Sequence, residues 1–269
     1  MPELPEMENY RLVLCRQLKG RPITEVDINR EKSINKKTEI FEAHLQGSVI
    51  TDIRRRAKHL IFQLNTGNAL LLHLMLGGWM YIGNDEDNPD RTKQVILSFG
   101  ERKLYFIGLR LGFLHLLNGK ELKEKLEELG PEPFDRSFTL ETFQKRFGTK
   151  RGTLKSILID QKFMAGIGNC YSDEICWQAR LQPARKANEL KPDEVITLYH
   201  AIIPVLENGI KFGGYIVNPI YAGDAKTGGY NNHLLVYDRE DQPCLRCGTE
   251  IRKMEISSRK SFSCPNCQV

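Results

Sequence analysis

The segment Leu154-Lys-Ser-Ile-Leu-Ile-Asp-Gln-Lys-Phe-Met-Ala-Gly-Ile-Gly-Asn-Cys-Tyr-Ser-Asp-Glu-Ile175 holds two helical patterns around a glycine-rich break. Apolar spacing predicts one helix over Leu154–Met164 and a second from Tyr171 to Ala179, with Ala165–Asn169 as the interruption. Backbone N–H groups at the start of the second helix, with the Asn169 side chain, suit a phosphate oxygen. Plain helix–helix packing is the more common explanation of a lone glycine turn, and Lys150, Arg151 and Lys155 nearby shift the balance modestly toward an anion.

The helical period extends outward from this stretch. Thr139–Phe147 reads as a short helix and Asp193–Phe212 as the longest one, stopped by Gly213-Gly214. Tyr215–Asn232 reads as a long glycine-containing loop. Upstream of the breaker Gly130-Pro131-Glu132-Pro133 the pattern changes. Met7, Tyr10, Val13, Leu14 and Leu18 predict a helix from Pro5 to Lys19. Strand patterns follow at Ile23–Ile28, Val49–Arg54, Leu60–Leu64, Ala69–Met75, Trp79–Ile82, Gln94–Phe99, Lys103–Ile107 and Gly112–Leu117. A charged helix then runs from Asn118-Gly119 to about Leu129. The expected fold class is α+β and multidomain. It comprises an N-terminal helix with a β-sandwich or flattened barrel (1–130), a helical domain (131–232) and a C-terminal zinc-ribbon hairpin (233–269).

The ribbon rests on Cys244-Leu-Arg-Cys247 and Cys264-Pro-Asn-Cys267, separated by 16 residues. Two knuckles supply four thiolates to one tetrahedral zinc ion and leave no position for water, so the metal is expected to be structural. Cys15, Cys170 and Cys176 fall in helical patterns and read as buried or half-buried thiols.

Charge and composition narrow the class. The chain is 41% hydrophobic and 27% charged, as in an ordinary globular protein, and no run of 18 apolar residues suggests a membrane span. Glu3, Glu6 and Glu8 occupy the place where a signal peptide would be apolar, so a cytoplasmic protein is expected. Net charge is only +5, but the cations cluster at Arg54–Lys58, Lys145–Lys155 and the last 26 residues, each beside a structural motif. That distribution favours a nucleic-acid partner.

The N-terminus, Met1-Pro2-Glu3-Leu4-Pro5-Glu6, allows two readings. It can be a plain helix start, with proline and acids in the first turn. Alternatively, removal of Met1 leaves Pro2 with a free secondary amine; α-amino groups in general titrate at about 7.7–8.0, so a useful fraction is a nucleophile toward a sugar aldehyde, with Glu3 and Glu6 beside it.

The segments MPELPEME, RRRAKHL, HLMLGG, LGPEPF, LKSILIDQKFMAGIGNCYSDEI and VYDREDQPCLRC…SCPNCQ together resemble the formamidopyrimidine-DNA glycosylase and endonuclease VIII family, in that family's order and over nearly the whole chain. The resemblance implies a helix–two-turn–helix domain and a bifunctional DNA glycosylase and abasic-site lyase. Its partner would be double-stranded DNA whose damaged or abasic nucleotide is flipped into a pocket between the domains. It assigns Pro2 as the Schiff-base nucleophile for β- and then δ-elimination, Glu3 as acid/base, and Lys58 as a proton donor. Arg259 becomes the phosphate-gripping residue of the later elimination, and Glu6 lies at the base pocket. His73, Lys150, Lys155 and Asn169 are expected to touch the DNA backbone. The implied protein is a monomer of the cytoplasm, at the nucleoid if bacterial.

Two regions depart from the family. Leu76 stands where members commonly carry methionine, and Ile107-Gly-Leu-Arg-Leu-Gly112 stands for D-x-R-x-F-G. In register, Leu109 replaces the arginine that reads the partner base and Leu111 replaces the phenylalanine wedge, while a one-residue shift would let Arg110 serve. With Leu109 in that role, discrimination between partner bases is expected to be weak. The loop Asn218–Thr227 matches no purine cap. These departures allow an alternative: a paralogue that binds damaged or abasic duplex without excising a base.

Overall fold

The computed structural model describes residues 1–269. They form two compact units, Met1–Glu127 with Ile216–Gly229, and Glu128–Tyr215 with Tyr230–Val269.

The first unit begins with α1 (Leu4–Leu18), whose entry is fixed by the Glu3 N–H donating to Glu6 Oε2 at 2.8 Å and by Pro5 in the first turn. Its inner face buries Met7, Tyr10, Leu14 and Leu18. Eight strands follow: β1 (Glu25–Ile28), β2 (Ile50–Arg56), β3 (His59–Leu64), β4 (Ala69–His73), β5 (Trp79–Gly83), β6 (Lys93–Phe99), β7 (Arg102–Ile107) and β8 (Phe113–Leu117). They make two antiparallel sheets, β1-β6-β7-β5 and β2-β3-β4-β8, around one core. Leu60, Phe62 and Leu64 of β3 meet that core by period two. The intervening Ile61 is buried on the opposite face with Leu71, Leu117 and the half-buried Leu122 and Leu126 of α3 (Gly119–Leu126). A helix covering the outer face therefore explains why β3 is apolar on both sides.

The sequence pattern gave no sign of α2 (Thr38–Leu45), which buries Phe41 and Leu45 between β1 and β2. The segment 216–229, expected in the helical domain, also belongs to this unit. Ile220 is fully buried in the sandwich core and its carbonyl accepts from the Ile82 N–H at 2.7 Å. The Trp79 indole N–H donates to the Pro219 carbonyl at 2.9 Å, and Asn9 Nδ2 donates to Thr227 Oγ1 at 2.9 Å.

The second unit holds α4 (Leu140–Phe147), α5 (Leu154–Leu158), α6 (Asn169–Gln178), α7 (Pro192–Lys211) and the hairpin β9 (Arg252–Ile256) and β10 (Arg259–Ser263). Phe143, Phe147, Phe163, Tyr171, Leu198 and Ile202 are among its core. α5 ends six residues before the expected Met164, because Asp160 opens a turn: its carbonyl accepts from the Phe163 and Met164 N–H groups. The zinc-ribbon residues, expected as a separate domain, belong to this unit with the helices, and Trp177 of α6 packs against Cys244, Ile251 and Phe262.

Candidate active site

In the first unit Pro2 is buried, and Glu3, Glu6 and Lys58 are 1%, 0% and 5% exposed. The Glu6 carboxylate accepts from the Glu3 N–H at 2.8 Å, which fixes the start of α1 directly after Pro2. Lys58 does not share a strand face with Arg56. With Arg56 paired to His59, Ala57 and Lys58 form the two-residue turn joining β2 to β3, and Ala57 takes the left-handed φ of 52°. An ion pair absent from the sequence reading ties this turn to α1. Arg55 Nε donates to Glu8 Oε2 at 3.0 Å and Arg55 Nη1 donates to the Ala57 carbonyl at 3.3 Å, while Arg11 holds the other Glu8 oxygen at 2.6 Å. Burial opposes ionisation of Glu8, but the two guanidinium groups outweigh it and keep the carboxyl below its usual range.

His73 closes β4 and stacks on His59 across the sheet, ring centroids 4.3 Å apart. Burial, with the Lys58 and Lys125 charges, lowers His73 to about 4; burial and then His73 lower His59 to about 3. Both rings are therefore neutral at pH 7, and His73 can offer an N–H but no charge. Their folded-state values lie below the ordinary 6.5, so the stability this gives is complete above pH 6.5 and is lost as pH falls toward 4 and below. Thermal unfolding of the free protein should become steeply acid-sensitive in that window. His59→Phe is expected to reduce the slope by about one proton.

The turn after β4 and the loop before β8 interlock. A Cβ on Gly108 would lie 2.0 Å from the Gly77 carbonyl oxygen, and one on Gly112 would lie 2.3 Å from that of His73. These loops expose Leu76 (61%) and Leu111 (64%), and with Trp79 and Arg91 line a cavity of about 630 Å³. Leu109 does not join them. It is fully buried, its N–H donating to Gln94 Oε1 at 3.1 Å and its carbonyl accepting from Ser33 Oγ at 3.1 Å. Arg110, the next residue, is exposed and lines the same cavity. The positive φ of Gly108 (70°) turns the chain out of strand alternation, so facing cannot be counted through it from β7.

In the second unit Asn169 opens α6, and its side-chain Oδ1 is buried without a hydrogen-bond partner. Gln161 staples the turn before it. Its Nε2 donates to the Ile159 and Ile167 carbonyls at 2.8 and 2.7 Å, and its Oε1 accepts from the Gly166 N–H at 2.9 Å. A glutamine in a helical pattern carried no signal of that role. Lys150 is half-buried and paired with Asp160 at 3.0 Å. Lys155, expected at the DNA backbone, is instead fully buried, 2.8 Å from Asp173 and donating to the Asn169 carbonyl at 2.7 Å. Arg259 is exposed at the start of β10, after a Ser257-Ser258 turn with both φ values positive.

The four cysteine sulfurs beside this hairpin lie within 4.8 Å of one another, with Cys244–Cys267 at 3.9 Å and Cys247–Cys264 at 3.5 Å. A tetrahedron with metal–sulfur legs of about 2.3 Å has edges of about 3.8 Å, so the set fits one structural zinc ion.

A helix-led sandwich, a helical unit with a glycine-broken helix pair and a four-cysteine hairpin together define the class of DNA-repair glycosylases with a zinc finger. Residues 1–113 match the family model described as formamidopyrimidine-DNA glycosylase N-terminal domain, and 129–219 match its H2TH domain. Residues 241–269 match the zinc finger found in FPG and IleRS. The chain belongs to the formamidopyrimidine-DNA glycosylase family. It is 34% identical to the formamidopyrimidine-DNA glycosylase of Listeria monocytogenes over 100% of both chains, and 36% identical to that of Pelotomaculum thermopropionicum over 100% of this chain and 99% of the other. Among solved structures, the Lactococcus lactis Fpg in complex with DNA containing an abasic site superposes with a TM-score of 0.92 at 29% identity, covering 99% of each chain. MutM in complex with DNA containing carbocyclic 8-oxo-G gives 0.91 at 28% identity, covering 100% of each.

Proposed function

We propose that this chain is a DNA glycosylase and abasic-site lyase that acts on damaged or abasic nucleotides in duplex DNA. The observation that carries the reading is the start of α1, where Pro2 is followed by two buried carboxylates and the helix is tied through Glu8 and Arg55 to the Lys58 turn. The relatives' names and the abasic and 8-oxo-G DNA in the matched complexes support it.

The Pro2 nitrogen attacks C1′ of the flipped nucleotide and the base leaves with a proton, for which Lys58 is the donor. Ring opening, with Glu3 passing a proton at the sugar, gives an iminium ion whose positive nitrogen makes the C2′ proton acidic. Loss of that proton expels the 3′ phosphate. A second loss, from C4′, expels the 5′ phosphate, with Arg259 stabilising the departing anion. Water then releases the sugar fragment from Pro2. His73, Lys150 and Asn169 hold backbone phosphates, and the zinc ion supports the hairpin that carries Arg259. The protein acts as a monomer in the cytoplasm; no helix is long and apolar enough to cross a membrane.

Leu76 and Leu111 are the apolar wedges at the gap left by the flipped nucleotide, and Arg110 between them reads the partner base. Guanidinium donors match the paired acceptors N3 and O2 of cytosine, and no other base offers that pair on its pairing edge. Arg110→Ala should therefore reduce the preference for cytosine over adenine opposite the lesion by a factor worth about 1–3 kcal/mol. Leu109→Ala should leave the preference intact and cost about 2–5 kcal/mol of stability. Cleavage rates against all four partner bases, with unfolding curves for both variants, check this. A wild-type enzyme with no partner preference would sink the assignment of Arg110. Binding to damaged duplex without cleavage on any lesion would favour the non-enzymatic alternative.

A further inference from the structure

Helix α6 carries two neighbouring carboxylates, Asp173 and Glu174, that are both fully buried. Burying a charge is costly unless several partners meet it, and here they come from the finger, the segment entering it and Lys155 of α5. The Glu174 oxygens accept from the backbone N–H groups of Leu235, Val236 and Tyr237 at 2.9–3.1 Å, on the segment that enters the finger. Asp173 Oδ1 accepts from Ser261 Oγ at 2.6 Å and from Lys155 Nζ at 2.8 Å, and Oδ2 accepts from the Phe262 N–H at 3.0 Å. Lys155 reaches on to the Asn169 carbonyl at 2.7 Å. One connected network thus runs from Asn169 to Ser261, two residues from Arg259.

The direction of this contact matters. Trp177, one turn beyond Asp173, packs in one cluster with Phe262 and Cys264, and Gln182 beyond it donates to the Cys264 carbonyl, so β10 runs in the same direction as α6. From Asp173 back to Asn169 is four helical residues, about 6 Å of rise. From Ser261 back to Arg259 is two strand residues, about 6.6 Å. The two advances match, and period two puts Arg259 on the same face of β10 as Ser261.

We propose that Asp173 is a positioning residue that pins the register of β10 on α6 through Ser261, setting Arg259 level with Asn169 as one phosphate clamp. This rests on the reading of Arg259 as the group that aids the second elimination. Ser261→Ala removes one hydrogen bond and leaves Asp173 paired with Lys155 and the Phe262 N–H.

The test is a double-mutant cycle on abasic-site duplex under single-turnover conditions, measuring the ratio of δ- to β-elimination product with zinc content and unfolding midpoint for each variant. Ser261→Ala is expected to lower the ratio about tenfold, with the β-elimination rate and one zinc per chain retained. In an Arg259→Ala background it should lower the ratio no further. Ser261→Thr, which keeps the hydroxyl, should keep the wild-type ratio. An unchanged ratio in Ser261→Ala, with Arg259→Ala still lowering it, overturns the positioning role and leaves the enzyme reading standing. An unchanged ratio in Arg259→Ala overturns the role of Arg259 and the pin with it. If Ser261→Ala fails to hold zinc, the threonine variant decides: zinc-loaded protein with a low ratio overturns the proposal, and a retained ratio supports it.

Discussion

Pro2→Gly, made in protein from which Met1 has been removed, is expected to lower strand cleavage at an abasic site by at least about 10²-fold, the lower end of what a positioned catalytic group contributes. The reason is chemical. A secondary amine condenses with an aldehyde to give an iminium ion that is charged without needing a proton, whereas the glycine amine gives an imine that must be protonated to draw electrons as strongly. Glycine also removes the pyrrolidine ring from a buried position, so the amine is less well held. DNA affinity should change little, because the phosphate-holding residues are untouched. Normal cleavage by Pro2→Gly would show that the permanent charge of a proline-derived iminium is not what drives the eliminations.

Zinc removal should have the other large effect. The finger's own apolar cluster is small, built from Val236, Cys244, Ile251, Phe262 and Cys264 around Trp177. Apparent metal-binding energies of about 10–16 kcal/mol in comparable finger peptides exceed what that cluster can supply. Cys247→Ser, or a strong chelator, is therefore expected to unfold the β9–β10 hairpin and detach Arg259, Ser261 and Phe262 from α6. Asp173 and Glu174 would then lose their finger partners while still inside the second unit, so part of that unit should loosen as well. The sandwich should survive. Two unfolding transitions in place of one, with DNA affinity lower by at least about tenfold, would be the signature. Full DNA affinity in zinc-free protein would show that the finger contributes no grip.

How far these features could be read from the chain depends on where each one's information lies. The strands of the sandwich were legible because alternation of apolar residues is local, as at Leu60, Phe62 and Leu64. The cysteine knuckles were legible because ligand spacing fixes the geometry. Lys155 was misplaced because its partner Asp173 lies on another helix, and nothing local distinguishes a buried paired lysine from an exposed one. Leu109 and Arg110 were hard to order because the left-handed Gly108 breaks the count along the strand. The loop at 216–229 shows no local sign of its anchor, because Ile220 and the half-buried Tyr221 beside it fit a socket assembled from distant strands. Gln161 and Glu8 share that fate: each does its work through a fold-made contact.

The central claim is that the chemistry runs through the N-terminal amine. Borohydride reduction of the protein with abasic-site duplex, followed by digestion and mass analysis of the cross-linked peptide, tests it most directly. The expected result is a covalent adduct in high yield with the sugar remnant on the nitrogen of Pro2. The absence of an adduct from Met1-processed protein, or an adduct on Lys58 instead, would contradict it.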